Sequence, residues 1–257
     1  MSMSDLKRLA ARALGLLDLT NLADDCDSAA IAKLCAKAVT PHGNVAAICI
    51  WPRFVAEAKQ RLAGKGITLA TVANFPAGGD DAGAAADEAS RAWADGADEV
   101  DVVIPYRRLM TGDERSVQEL VAAAVARRPP GKRLKTILET GELQTPELIA
   151  KAARIAIAAG ADFIKTSTGK TKVSATPEVA RIMLEAIRDA RRPVGFKPSG
   201  GIRTLEDAAV YLDLAGEIMG ARWVSPATFR FGASGLLDDL LARLGHSAAT
   251  HEKDSVY

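Results

Sequence analysis

The stretch AGADFIKTSTGK, residues 159–170, ends an Ala-rich run and begins an apolar one. Gly160 suits a helix end, where a left-handed residue releases the chain. Phe163 and Ile164 then read as a buried strand. Lys165 interrupts that strand with a primary amine, whose charge is costly to bury. Small polar residues, Gly169 and Lys170 follow. A similar turn stands earlier, DGADEVDVV, residues 95–103. The pair reads either as a weak internal repeat of one αβ unit or as one loop solution used twice.

Outward from these two turns, short β-rich runs alternate with Ala-rich helical runs. Strands are predicted at 16–20, 44–51, 67–74, 99–104, 134–139, 162–166, 194–197 and 229–232. Helical spacing falls between them, at 28–38, 53–63, 82–95, 116–127, 146–159, 177–189, 205–214 and 236–244. Thr145-Pro146-Glu147 and Thr176-Pro177-Glu178 each offer a cap, a first-turn proline and an acid. Eight strand–helix pairs in 257 residues fit one α/β domain, a (β/α)8 TIM barrel with an extra amphipathic N-terminal helix. A doubly wound open sheet would show an early GxGxxG, and none is present. The barrel is expected to occupy residues 1–245, with the polar tail 246–257 flexible.

Composition narrows the function. A net charge of +1 gives no bulk signal for nucleic acid or for a membrane surface. The N-terminal segment lacks the long apolar core of a secretory signal, and no run approaches a membrane span. Cys26, Cys35 and Cys49 are too few and too odd in number for a disulfide framework, which fits a reducing cytoplasm. With His42, His246 and His251 the only histidines, a His-rich metal site is not expected.

In a barrel the active site lies at the C-terminal ends of the strands. Alternation turns every second strand residue inward. That selects Asp18 on the first strand, Asp101 on the fourth, Lys135 and Glu139 on the fifth, Lys165 on the sixth and Lys197 on the seventh. Any one charge could be a barrel ion pair. Two lysines on adjacent strands are harder to explain so, because two ammonium groups repel. A free lysine, of pKa about 10.4, is almost wholly protonated at neutral pH. Burial and a neighbouring cation both favour the neutral amine, which can attack a carbonyl. A carboxylate such as Asp101 could then shuttle protons. Gly-rich turns after the last strands, at Ser167-Thr168-Gly169-Lys170, Ser199-Gly200-Gly201 and Gly232-Ala233-Ser234-Gly235, expose backbone N–H groups in the manner of a phosphate site.

DLTNL, AAICIWPRF, TVANFPAGGD, GADEVDVVIPYRRLM, ETGEL, AGADFIKTSTGK, ATPEVARIM, VGFKPSGGIRT and FRFGAS, in that order, resemble the deoxyribose-phosphate aldolases, a class I aldolase family. The resemblance runs from about Leu16 to Gly245. It implies reversible cleavage of 2-deoxy-D-ribose 5-phosphate to D-glyceraldehyde 3-phosphate and acetaldehyde, with no metal and no cofactor. By motif, Lys165 corresponds to the Schiff-base lysine, Lys197 to the lysine that perturbs it, and Asp101 to the proton-transfer carboxylate. Asp18 matches a supporting acid. Thr168, Gly169, Lys170, Gly200, Gly201, Ser234 and Gly235 match the phosphate-binding turns. Gly235 replaces a serine common in the family, which removes a hydroxyl but keeps the backbone N–H. Tyr257 matches a C-terminal tyrosine that assists proton exchange, and Cys49 a cysteine near the site, though core packing explains it as well. The expected partner is a small phosphosugar, with neither nucleic acid nor membrane, and the resemblance suggests a homodimer. Other readings are another phosphosugar barrel enzyme, isomerase or transaldolase-like, and a non-catalytic sugar-phosphate binding protein.

Overall fold

The computed structural model describes residues 2–245. Eight parallel strands follow one another around a barrel. They are β1 (Leu17–Asn21), β2 (Ala47–Ile50), β3 (Thr68–Ala73), β4 (Glu99–Val103), β5 (Arg133–Ile137), β6 (Phe163–Lys165), β7 (Gly195–Lys197) and β8 (Phe231–Ala233). Each pairs with the next from β1 to β7, and β8 returns to pair with β1 in the register Leu17 to Phe231. Between β7 and β8 the ladder thins to two bridges, Phe196 to Phe229 and Ser199 to Gly232. There the Phe196 N–H donates to the Thr228 carbonyl at 2.8 Å and the Gly232 N–H to the Pro198 carbonyl at 2.9 Å. The barrel is therefore nearly closed, as the alternating sequence pattern predicts.

The two related turns do the same work. Gly96 and Gly160 both have positive φ, 112° and 106°. The aspartate two residues on clamps the neighbouring strand from both sides. The Asp98 N–H donates to the Leu69 carbonyl at 2.7 Å, and its carboxylate accepts the Leu69 N–H at 3.1 Å. Asp162 repeats this with Leu134, at 2.9 and 2.8 Å. A side chain thus supplies the backbone pairing where the strand begins.

Helices cover the outer face. Thr145, Thr176 and Thr204 cap three of them, each hydroxyl accepting a first-turn N–H, and Pro146 and Pro177 open two. The amphipathic segment Met3–Leu14 is a helix that packs against Leu236–Leu244. Several boundaries differ from expectation. The second strand starts only at Ala47, because Gly43–Asn44 pairs with Val39–Thr40 in a small hairpin. The fifth stops at Ile137, because Glu139 adopts a left-handed conformation (φ 54°) and a short helix, Thr140–Leu143, follows. The eighth starts two residues later and ends one later, at Phe231–Ala233. The helix expected to end at residue 214 runs through Gly216 to Met219, and Tyr106–Met110 forms an extra short helix. Among the described residues no helix is long and apolar enough to cross a membrane.

The interior is divided. One sector holds Leu22, Cys49, Ala70 and Val72, with Trp51 and Phe75 against them. The rest is charged, with Asp18, Glu99, Asp101, Lys135, Lys165, Lys197 and Arg230 all at most 3% exposed. Backbone space is short beside it. A Cβ on Gly195 would collide with the Phe163 ring, whereas one on Gly216, inside its helix, would meet nothing within 4 Å. Gly195→Ala is expected to destabilise by about 1–3 kcal/mol through overpacking. Gly216→Ala is expected to stabilise by roughly 0.5–1 kcal/mol by raising helix propensity. Urea unfolding of both variants checks the contrast.

Candidate active site

Strand register brings the charges together. Asp101 on β4 is opposite Lys135 on β5, and Lys165 on β6 is opposite Lys197 on β7. Asp101 is the hub. Its Oδ2 accepts from Lys165 Nζ at 3.0 Å and from Lys197 Nζ at 2.8 Å, and its Oδ1 accepts from Lys135 Nζ at 2.7 Å. Lys197 also donates to Asp18 Oδ2 at 2.6 Å. Arg230 bridges Asp18, at 2.7 Å, and Glu99, at 3.0 Å. Lys135 reaches Glu99 at 2.6 Å and lies 3.8 Å from Asp18.

Four cations thus share three carboxylates. Lys135, Lys197 and Arg230 each touch two or more carboxylates, whereas among the described residues Lys165 touches Asp101 alone. Burial opposes these charges, but for Asp101, Asp18, Lys197, Lys135 and Arg230 mutual attraction outweighs it. Burial alone would favour the neutral Asp101, yet Lys135, Lys197 and Lys165 hold its carboxyl well below the usual range. Asp18 is lowered in the same way by Lys197, Arg230 and Lys135, against its own desolvation. Desolvation would discharge Lys197, but Asp101 and Asp18 raise its pKa, so it stays an ammonium. Asp101 and Glu99 do the same for Lys135, again against burial. Burial pushes the Cys49 thiol up, leaving it neutral.

Above this network lies a pocket of about 850 Å³ at the C-terminal strand ends. Three interior strands lead from one to the other in single steps of alternation. Thr20 follows Asp18, Ser199 follows Lys197 and Gly232 follows Arg230, each two residues later and each lining the pocket. Thr168, Gly169, Lys170, Gly200, Gly201, Ser234 and Gly235 all line it as well. Gly169, Gly200 and Gly201 have φ near 80°, so their N–H groups are presented by left-handed turns that favour glycine. A Cβ on Gly200 would strike the Ser174 side chain, and one on Gly232 would lie 2.5 Å from Ser199 Oγ and 3.0 Å from Lys197 Cε. Gly235 precedes helix Leu236–Leu244 with no side-chain cap. Lys170 Nζ pairs with Asp24 at 2.9 Å and sits 5.9 Å from the Trp51 ring centre.

Two cations lining the pocket, Lys172 and Arg203, did not emerge from the sequence. Arg230 and Glu99 were also missed, although each precedes by two a residue marked as inward or site-facing. Glu139 was noted without a role. Its buried carboxylate accepts from Thr168 Oγ1 at 2.5 Å and Thr171 Oγ1 at 3.2 Å, and so holds the turn that carries Gly169 and Lys170. Tyr257 lies outside the described residues. Among the described residues no three His, Cys, Asp or Glu side chains are arranged to hold a metal ion. Another cavity, of about 860 Å³ between helices Pro146–Ala158 and Pro177–Arg188, holds none of the interior charges.

Residues 12–241 match the family model described as DeoC/LacD family aldolase. The chain belongs to the DeoC/LacD family of aldolases. It is 57% identical over 237 residues to the deoxyribose-phosphate aldolase of Agrobacterium fabrum strain C58, covering 91% of each chain. Among solved structures it resembles a candidate deoxyribose-phosphate aldolase of Toxoplasma gondii ME49, with a TM-score of 0.87, 25% identity, and coverage of 95% of this chain and 97% of that one. The deoxyribose phosphate aldolase of Aeropyrum pernix, described as tetrameric, shares the fold with a TM-score of 0.73 at 22% identity, over 94% of this chain and 98% of its own.

The network makes Asp18 a test of its electrostatics. Asp18→Asn leaves Lys197 and Arg230 each short of a carboxylate and is expected to cost about 3–5 kcal/mol at neutral pH. Because the folded-state pKa of Asp18 is lowered, its stabilisation is full above the ordinary carboxylate range and fades as pH falls below it. The gap between wild type and variant in urea unfolding should be constant from pH 7 to about 5 and shrink towards pH 3.

Proposed function

We propose that the chain is a deoxyribose-phosphate aldolase, a class I carbon–carbon lyase that reversibly cleaves 2-deoxy-D-ribose 5-phosphate into D-glyceraldehyde 3-phosphate and acetaldehyde. The observation that carries the proposal is the Lys165 amine, buried opposite Lys197 and touching a single carboxylate, below a pocket edged by left-handed glycines and cations. Lys165 is the nucleophile. With one cation more than the carboxylates can neutralise, the amine with fewest anionic contacts is the least costly to leave uncharged.

The Lys165 nitrogen adds to the C1 aldehyde of the open-chain sugar, and the resulting carbinolamine loses water to give an iminium. The C2–C3 bonding pair then flows to the iminium nitrogen as the C3 hydroxyl gives up its proton, and glyceraldehyde 3-phosphate leaves. The remaining enamine takes a proton at C2. Water then hydrolyses the imine, releases acetaldehyde and restores the amine. Asp101 touches both Lys165 and Lys197 through one oxygen, which supports a relay from the Lys197 ammonium through Asp101 to the reacting nitrogen. Asp18 holds Lys197 from the other side.

The phosphate sits away from the reacting carbons, against Thr168, Gly169, Lys170, Gly200, Gly201, Ser234 and the Gly235 N–H, with Lys172 and Arg203 adding charge. Fixing this remote group orients C1 towards Lys165. Assembly as a homodimer, which rests on the family resemblance, and a cytoplasmic location, which rests on the sparse cysteines, belong to the same proposal.

Borohydride with acetaldehyde or the phosphosugar should fix an adduct on Lys165, located by peptide mass mapping. An adduct on Lys197, or none, would overturn the assignment. Lys197→Leu leaves three cations to three carboxylates, so Lys165 should keep its proton at neutral pH. Its rate at pH 7 should fall by roughly 10-fold or more, because the fraction of free amine changes about tenfold per pH unit. The acidic limb of the pH–rate profile should move upward with it. An unchanged profile would count against charge repulsion.

A further inference from the structure

The aldolase mechanism above assigns no part to Arg230, yet this residue closes the lower end of the charged interior. It is 3% exposed. Its Nε donates to the Pro226 carbonyl at 2.5 Å, one terminal nitrogen to Asp18 at 2.7 Å and the other to Glu99 at 3.0 Å. A cavity of about 450 Å³ lies below it, lined by Glu99, Arg133 and Arg230 at the N-terminal strand ends, opposite the substrate pocket. Arg230 therefore cannot touch substrate. A lysine in its place could lose a proton to relieve the crowding of cations; a guanidinium cannot.

We propose that Arg230 is a positioning residue for the aldol reaction: its permanent charge, locked between Asp18 and Glu99, forces the surplus proton off Lys165 at the other end of the interior. The inference rests on the aldolase proposal and extends it from one neighbouring lysine to the whole buried column. Asp18 carries the effect. If Arg230 did not occupy its Oδ1, that carboxylate would be freer to balance Lys197, Lys135 and, through Asp101, the Lys165 ammonium.

Every ionisable strand group facing this interior takes part in the balance. Asp18 comes from β1, the neutral Cys49 from β2, Glu99 and Asp101 from β4, Lys135 from β5, Lys165 from β6 and Lys197 from β7, and Arg230 directly precedes β8. β3 carries no ionisable residue. Arg133 reaches Glu99 at 3.8 Å from the wet side, 38% exposed, where water screens its charge.

The test is the acidic limb of kcat/KM against pH for deoxyribose 5-phosphate cleavage, which reports groups on the free enzyme. Arg230→Met removes a cation and should move the limb upward by about one pH unit, the order expected for a unit charge across an interior of effective dielectric near 20. Glu99→Gln removes an anion and should move it downward by a similar amount. A merely structural role would slow both variants without moving their limbs in opposite directions, so any other pattern overturns the proposal. If Arg230→Met does not fold, the near-isosteric Glu99→Gln decides alone, and a limb that stays or rises overturns it. Borohydride trapping of wild type separates the two levels. No adduct on Lys165 defeats the aldolase proposal and this inference with it; an adduct together with unmoved limbs defeats this inference only.

Discussion

The arrangement depends on one shared atom. Asp101 Oδ2 receives both the Lys165 and the Lys197 amines, so their nitrogens can be no farther apart than those two contacts allow. Two ammonium groups at such range, out of water, repel strongly. Asp101 cannot neutralise both, because its other oxygen is already taken by Lys135. Among the described residues Lys197 has Asp18 as a second carboxylate partner and Lys165 has none. The asymmetry between two chemically identical side chains comes from what stands behind each of them. It separates a lysine held by carboxylates on two sides from a lysine held on one.

A barrel suits this because its interior is reached from every strand, while its outer face does the folding. The large apolar core lies between strands and helices and does not involve the charged column. Hydrophobic burial outside can therefore offset the desolvation of the ionisable groups inside. Small residues make the interior fit. Gly195 leaves space for the Phe163 ring and Gly232 for the Lys197 stem, so two strands give up side chains to make room for larger ones from their neighbours.

Much of this was legible in the sequence, for definite reasons. The period-two and period-3.6 patterns survive in every αβ unit, so the eight strands and their order emerge directly. Lys165, Lys197 and Asp101 stand out because charge in a strand is rare. Arg230 and Glu99 obeyed the same alternation but lay next to strand beginnings, where a charged residue reads as a solvated end. The fifth strand was extended two residues too far because Glu139 takes a left-handed conformation, which a glutamate gives no sign of. The carboxylate contacts to Thr168 and Thr171 that accompany this conformation are long-range, and local sequence cannot encode them visibly. Lys172 and Arg203 were missed because their place beside the glycine turns depends on how loops from two strands meet.

The positive charge of the pocket and that of the buried column act on the reaction in different ways. A bound phosphate brings negative charge, and negative charge near Lys165 would favour the ammonium, the wrong state for attack on a carbonyl. The pocket answers with cations of its own. Lys170, Lys172 and Arg203 line it, and left-handed glycine turns add N–H donors. In the proposed site the substrate's charge would be compensated where it binds, so it would not draw a proton back onto Lys165. Lys170 already pairs with Asp24 in the free chain, so in the proposed phosphate site a bound phosphate would compete with that carboxylate for the amine. Binding and activation can thus share one barrel end without opposing each other.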